Sequence, residues 1–372
     1  MGNILDYLSW RGDIPFSVSP FNEVDNYIIS KIGCPDYTGI VPEDGRGIGI
    51  SETVDKYFTL HPYTEKGLGA LASTNILRAI MELPKCERFS SLILTGYRKL
   101  FDAENTEQFS ALTVILPDGN VCVTFRGTDD TLVAWKENFN MAVMEQIPAQ
   151  HDALEYLKWA ATTYPGPLMV CGHSKGGNLA VYASAMVSDE IRKRIVRVYN
   201  NDGPGFHPDF YASPGYLSLS SRIVTILPYY SMVGILMRQC SDPVIAKCSK
   251  PGPASHDGFI WEVDRDHFIR LPELSRSSAA LQSALERMVE EQSPEFLQEF
   301  INEFFSVLSS SGAETVSDLT VHVLKNAIAM ASTLKEEKSV RSFALQTLEL
   351  MVKDYELPVH ELHHIRHFPV RR

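Results

Sequence analysis

Ser174 lies in the run Leu168-Met169-Val170-Cys171-Gly172-His173-Ser174-Lys175-Gly176-Gly177-Asn178-Leu179-Ala180, a G-x-S-x-G between an apolar strand pattern and a small-residue helix pattern. A serine on a tight strand-to-helix turn points its hydroxyl outward, and glycine at the flanking positions lets strand and helix approach without a Cβ clash. The chemistry on offer is nucleophilic attack on a carbonyl, which needs a base for the proton and N–H donors for the oxyanion. One donor is the backbone N–H of Lys175, directly after the serine. The Lys175 side chain reads as a solvated surface charge. The second donor is expected from the loop after an earlier strand, and Val123-Thr124-Phe125-Arg126-Gly127-Thr128 supplies such a loop, with Thr128 offering a backbone donor and a hydroxyl.

Phe125-Arg126-Gly127-Thr128-Asp129-Asp130 followed by Trp135, taken with the glycine-flanked Ser174, resembles the class 3 lipase-like branch of the α/β-hydrolases. Trp10-Arg11-Gly12-Asp13, Pro20-Phe21-Asn22-Glu23-Val24-Asp25, Asp202-Gly203-Pro204-Gly205-Phe206 and His256-Asp257-Gly258-Phe259-Ile260-Trp261 are similar, more closely, to a bacterial lipase-like family labelled as a domain of unknown function. The matches run from residue 5 to about 265. The resemblance implies an α/β-hydrolase fold and hydrolysis of acyl esters, and it leaves the substrate open.

The base must come from eleven histidines. His61 and His151 precede the serine, and His173 sits inside the turn facing the packed side. His256 follows the last expected strand, where an α/β-hydrolase places its histidine, and it matches the family's motif; His267 and His207 are reserves. For the acid, class 3 lipases use the turn after the strand equivalent to Arg222 to Leu227. Here that turn reads Pro228-Tyr229-Tyr230-Ser231-Met232-Val233-Gly234 and holds no carboxylate. Asp202, at the end of the preceding strand, is the substitute and keeps the order Ser, Asp, His. It also suits a simple turn cap before Gly203-Pro204-Gly205. Asp242 and Asp257 are the fallbacks.

Two further stretches carry chemical signals. His360-Glu361-Leu362-His363-His364 satisfies H-E-x-x-H, with His367 as a third ligand, but lies where a helix end frays; a solvated terminal helix is the expectation. Tyr229 to Met237 is apolar and reads either as a core helix or as the wall or lid of an acyl pocket.

These residues need a scaffold. Residues 1–60 hold turn signals at Arg11-Gly12-Asp13 and Pro42 to Gly45 and read as short helices and loops. Leu68, Leu71, Ile76, Leu77 and Ile80, then Leu92, Leu94, Tyr97 and Leu100, predict two helices broken near Pro84. Ala111 to Leu116 and Val121 to Phe125 predict a hairpin. A helix over about 149–164, a strand over 168–171, a helix over 177–187 and strands over 197–200 and 223–227 follow. Strands alternating with helices imply a mostly parallel central sheet flanked by helices. From Leu271 to Tyr355 the pattern is helical, carried by Ala280, Leu281, Leu285, Met288, Phe296, Phe300, Ile301, Phe304 and Leu308. The expected organisation is an N-terminal helical and loop segment (1–105), an α/β-hydrolase core (106–270) and a C-terminal helical extension (271–372).

Composition limits the partners. Across 372 residues, 34 Lys and Arg face 46 Asp and Glu, a net −12 that disfavours nucleic acid. The fractions of 44% hydrophobic and 22% charged residues suit a globular protein with its own core. Six scattered cysteines without a C-x-x-C pair, no signal-like pattern in Met1 to Trp10 and no transmembrane segment point to the cytoplasm. The expected activity is that of a serine esterase or lipase-like hydrolase acting through Ser174, His256 and Asp202 and an acyl-enzyme, with Lys175 and Thr128 N–H groups as the oxyanion hole. It calls for no cofactor and no metal, and its substrate is a small-molecule or lipid acyl compound. An amidase or peptidase on the same groups, and a hydrolase fold kept only for binding, are the alternatives. The sequence leaves the oligomeric state open.

Overall fold

The computed structural model describes residues 2–61, 74–129, 131–239, 242–310, 312–315 and 318. In chain order the elements are α1 (Ile4–Arg11), α2 (Glu23–Ile32), β1 (Ile48–Gly49), α3 (Ile50–Leu60), α4 (Asn75–Glu82), β2 (Ile93–Asp102), β3 (Glu107–Ile115), β4 (Val121–Phe125), α5 (Leu132–Asn140) and α6 (Pro148–Thr163). Then come β5 (Leu168–His173), α7 (Lys175–Met186), α8 (Asp189–Arg194), β6 (Ile195–Asn201), α9 (Pro208–Ala212), α10 (Pro214–Leu219), β7 (Ile223–Pro228) and β8 (Val244–Ala246). The last are β9 (Val263–Asp264), β10 (His267–Phe268), β11 (Arg270–Leu271), α11 (Arg276–Glu291) and α12 (Pro294–Ser309).

Nine strands form one sheet in the order β1-β2-β3-β4-β5-β6-β7-β8-β11. Strands β4 to β8 run parallel, while β1 to β4 and the β8–β11 edge are antiparallel. The architecture is that of an α/β-hydrolase, a mixed sheet whose parallel half carries the crossover helices.

Alternation along the strands assigns each face its own core. Leu168 and Val170 of β5 join Val121, Val123 and Phe125 of β4 against α6, α7 and α10. Met169 and Cys171, with Cys122, join the opposite cluster, built on Ile4 and Leu8 of α1, Val24, Tyr27 and Ile28 of α2, and Ile76 and Ile80 of α4. The N-terminal helices therefore cover one whole face. Arg88 locks them: fully buried, it pairs with Asp25 and donates to the carbonyls of Ile14 (2.9 Å), Ser19 (2.9 Å) and Pro20 (3.1 Å). Leu132 of α5 meets Phe300, Ile301 and Phe305 of α12 in a third, smaller cluster, which docks α12.

Three expectations change. Residues Leu92 to Leu100 are not a helix; most of that run is β2, paired with β3 through Leu94–Val114 and Leu100–Phe109. A register shift between Thr95 and Arg98 breaks its alternation, at Gly96 with φ 67°. The N-terminal segment thus adds β1 and β2 to the central sheet besides its helices. Tyr229 to Met237 forms turns, not a helix, because the segment folds around Asp202. Third, Leu271 belongs to an edge strand before the C-terminal helices begin.

Leu68 and Leu71 of the first expected helix, and the H-E-x-x-H run at His360 to His364 with His367, fall outside the described residues. Among the described residues, no helix is long and apolar enough to cross a membrane. Five cysteines, Cys34, Cys86, Cys122, Cys171 and Cys248, are buried free thiols.

Candidate active site

Ser174 joins β5 to α7 with φ 59° and ψ −134°. Such a conformation costs a non-glycine residue about 1–3 kcal/mol and persists only where its surroundings impose it. Its N–H donates to the Asn201 carbonyl at 2.9 Å, tying the turn to the end of β6. A Cβ at Gly172 would stand 2.1 Å from the Gly176 carbonyl oxygen, and one at Gly176 2.1 Å from that of Phe125. Both flanking glycines are there because backbones meet.

Asp202 follows β6 directly, has φ 49° and is fully buried. One carboxylate oxygen, Oδ1, accepts from the Ser231 hydroxyl (2.6 Å) and the Gly234 N–H (3.0 Å). The other, Oδ2, lies 2.6 Å from Nδ1 of His256. A carboxylate only accepts, so Nδ1 carries a proton, and in the neutral imidazole Nε2 is then the acceptor nitrogen. His256 ends a short helical turn, Gly252–His256, and is 5% exposed. Ser174, His256 and Thr128 line one cavity of about 60 Å³, walled by Ile76, Trp135, Phe139, Val233 and Leu236. Thr128 Oγ1 accepts from the Asn138 amide at 2.6 Å.

Other sequence candidates lie elsewhere. His267 sits beside Asp266 at the surface, and His207 bonds the Met141 carbonyl. Asp242 is exposed, and Asp257 accepts from the Phe259 N–H. Lys175 overturns its expectation as a solvated charge. It is fully buried, with Nζ 2.6 Å from Glu137 Oε2 and 3.0 Å from Gln108 Oε1. From the start of α7 the side chain reaches Gln108 of β3 and Glu137 of α5, so it lies within the protein and needs a counter-ion there.

His173 was set aside as a base, and its packed position has a consequence the sequence does not show. Its Nε2 lies 2.8 Å from the His256 carbonyl oxygen, its ring centroid 4.3 Å from that of His256, and its Nδ1 2.8 Å from Nζ of Lys31 in α2. The carbonyl requires an N–H at Nε2, so Nδ1 accepts from the lysine. Burial, and next the Lys31 charge, push the His173 pKa well below its ordinary 6.5. The only hint of Lys31 in the sequence is a single cation inside the apolar run Tyr27 to Ile32.

A pH dependence of stability follows. The unfolded chain binds a proton at His173 below about pH 6.5 and the folded chain does not, so this contribution is intact above that pH and lost as pH falls. Relative to His173→Gln, which retains a terminal amide donor, the wild type is expected to lose roughly 1.4 kcal/mol per pH unit below 6.5. Urea unfolding of both proteins at pH 7.5 and 5.5 measures this, and parallel losses would refute it.

Comparison with curated proteins finds no match. A family model described as Mbeg1-like matches residues 83–306, well over half of the chain and the whole stretch from β2 through Ser174, Asp202 and His256 into α12. The chain belongs to the Mbeg1-like family.

Proposed function

We propose that this protein is a serine hydrolase of esterase type, acting through Ser174, His256 and Asp202. The observation that carries the reading is the 2.6 Å contact between His256 Nδ1 and Asp202, made beside a serine held at φ 59° in the same cavity wall. His256 Nε2 accepts the Ser174 proton as Oγ attacks the acyl carbonyl, and later returns it to the leaving alcohol. Backbone N–H groups of Lys175 and Thr128 stabilise the oxyanion. Water then releases the acyl group by the same route in reverse. Asp202 stands in for the acid that class 3 lipases, which the Phe125 to Asp130 motif resembles, take from the following turn. In this reading residues 106–270 carry the chemistry, 1–105 wall and brace it, and 271–372 are an appendage. The apolar wall supports an acyl substrate, and a cavity of about 60 Å³, far below the several hundred Å³ of a drug-sized site, favours a short one.

A fluorophosphonate probe is expected to label the wild type covalently and to leave Ser174→Ala unlabelled. A folded wild type that takes up no probe, read by intact mass, would remove the accessible serine and the proposal with it.

A further inference from the structure

Of the buried cations near the site, Lys31 has no assigned counter-ion. Lys175 faces Glu137 and Arg88 faces Asp25, each pair fully buried. Lys31 is 7% exposed, its Nζ bonds His173 Nδ1 and stands 5.2 Å from the Tyr27 ring centroid, and among the described residues no carboxylate pairs with it. An ammonium has three N–H donors, and His173 uses one. Burial lowers the proton affinity of Lys31 despite the more distant Asp257 and Asp202 carboxylates, which raise it.

The amine belongs to the wall of the Ser174 cavity. Arg126, 4% exposed, lines the same wall. The carboxylate in that lining is Asp129, whose Oδ1 accepts from the N–H and hydroxyl of Thr131 at 2.9 and 2.7 Å. Lys31 and Arg126 thus line a small space that also holds the apolar side chains of Ile76, Trp135, Phe139, Val233 and Leu236. An uncharged acyl chain entering it would strip water from the lysine and return nothing, whereas a carboxylate would supply the missing partner.

We propose that the cavity takes an acyl group ending in an anion, a short half-ester of a dicarboxylic acid, whose free carboxylate binds Lys31 while its ester carbonyl meets Ser174. The inference rests on the esterase reading for the second contact; the first stands without it. It also accounts for an uncompensated buried cation, which costs stability and is kept where function uses it.

The test has two arms on the full-length protein. In the first, proton release is followed from monomethyl succinate and from methyl butyrate. The wild type is expected to favour the half-ester at least tenfold in kcat/KM, and Lys31→Gln to bring that ratio near one, whatever happens to either rate alone. Equal or better turnover of methyl butyrate by the wild type would overturn the anion site and leave the esterase reading standing. The second arm uses calorimetry on Ser174→Ala, where hydrolysis is removed. Monomethyl succinate is expected to bind and methyl butyrate not, with binding weakened at least tenfold by adding Lys31→Gln. Absence of binding there overturns the proposal; binding without turnover by the wild type keeps the anion site and removes the esterase reading. Lys31→Gln is expected to melt no lower than wild type. Should it fail to fold, the wild-type ratio and the Ser174→Ala calorimetry still decide.

Discussion

Asp202→Asn is expected to lower kcat for the proposed ester hydrolysis by about 10³- to 10⁴-fold with little change in the fold. The size of the effect comes from a choice of tautomer. Oδ1 of Asp202 accepts two hydrogen bonds, from the Ser231 hydroxyl and the Gly234 N–H, and the second of these has no other role open to it. An asparagine must keep its carbonyl oxygen there, and so turns its NH₂ toward His256. Nδ1 then becomes the acceptor, the proton moves to Nε2, and the nitrogen that should take the Ser174 proton already holds one. Steady-state kinetics of the two proteins measures the loss. A loss below tenfold would mean that Asp202 only closes a turn, the alternative its Gly203-Pro204-Gly205 context allows.

The second large effect concerns stability. Lys175→Met is expected to cost about 3–5 kcal/mol, because it leaves the Glu137 carboxylate buried without its cation. Glu137 cannot escape: Oε2 also accepts the Gln108 N–H (3.2 Å) and Oε1 the Ala149 N–H (3.1 Å), so the group joins β3 and α6 through α5. Adding Glu137→Gln removes the stranded charge and keeps an acceptor, and is expected to recover at least half of the loss. Urea unfolding of the two variants and the wild type tests both statements. A single variant within 1 kcal/mol of wild type would show that the pair is worth no more than a surface one.

Where local pattern and tertiary structure agree, the sequence was legible. The β3–β4 hairpin, β5, α7, β6 and β7 follow from alternation, β-branched runs and small residues, and Ser174 stands where its flanking glycines imply. The reading failed at β2 for an identifiable reason. Leu92, Leu94, Tyr97 and Leu100 are spaced two, three and three apart, and the register shift at Gly96 produces that spacing in a strand. Tyr156 of α6 donates to the Gly96 carbonyl at 2.7 Å, so the irregularity belongs to a long-range contact that no local window contains. Lys175 and Lys31 were opaque in the same way: their surroundings are Glu137, 38 residues away, and His173, 142 away. Among the proposed site residues, Ser174 is marked by its neighbours in sequence. Asp202 and His256 are proposed from their order along the chain, and the surroundings of the two lysines emerge only in space.

The placement of α2 also bears on how the protein is made. All but its first residue are buried, yet Lys31 meets His173, Asn26 meets Asn201, Tyr27 meets Gly258 and Glu23 meets Phe268, across gaps of 142 to 245 residues. At ribosomal speeds of about 5–20 residues per second, the helix waits roughly 10 to 50 s for these partners to be synthesised. Until then its apolar surface is open to chaperones or to aggregation. The serine turn and the β3–β4 hairpin can form early from nearby sequence, whereas the brace beneath His256 closes only when α2 meets the segment around Gly258 and Phe268, which makes completion of the proposed site a late event in folding.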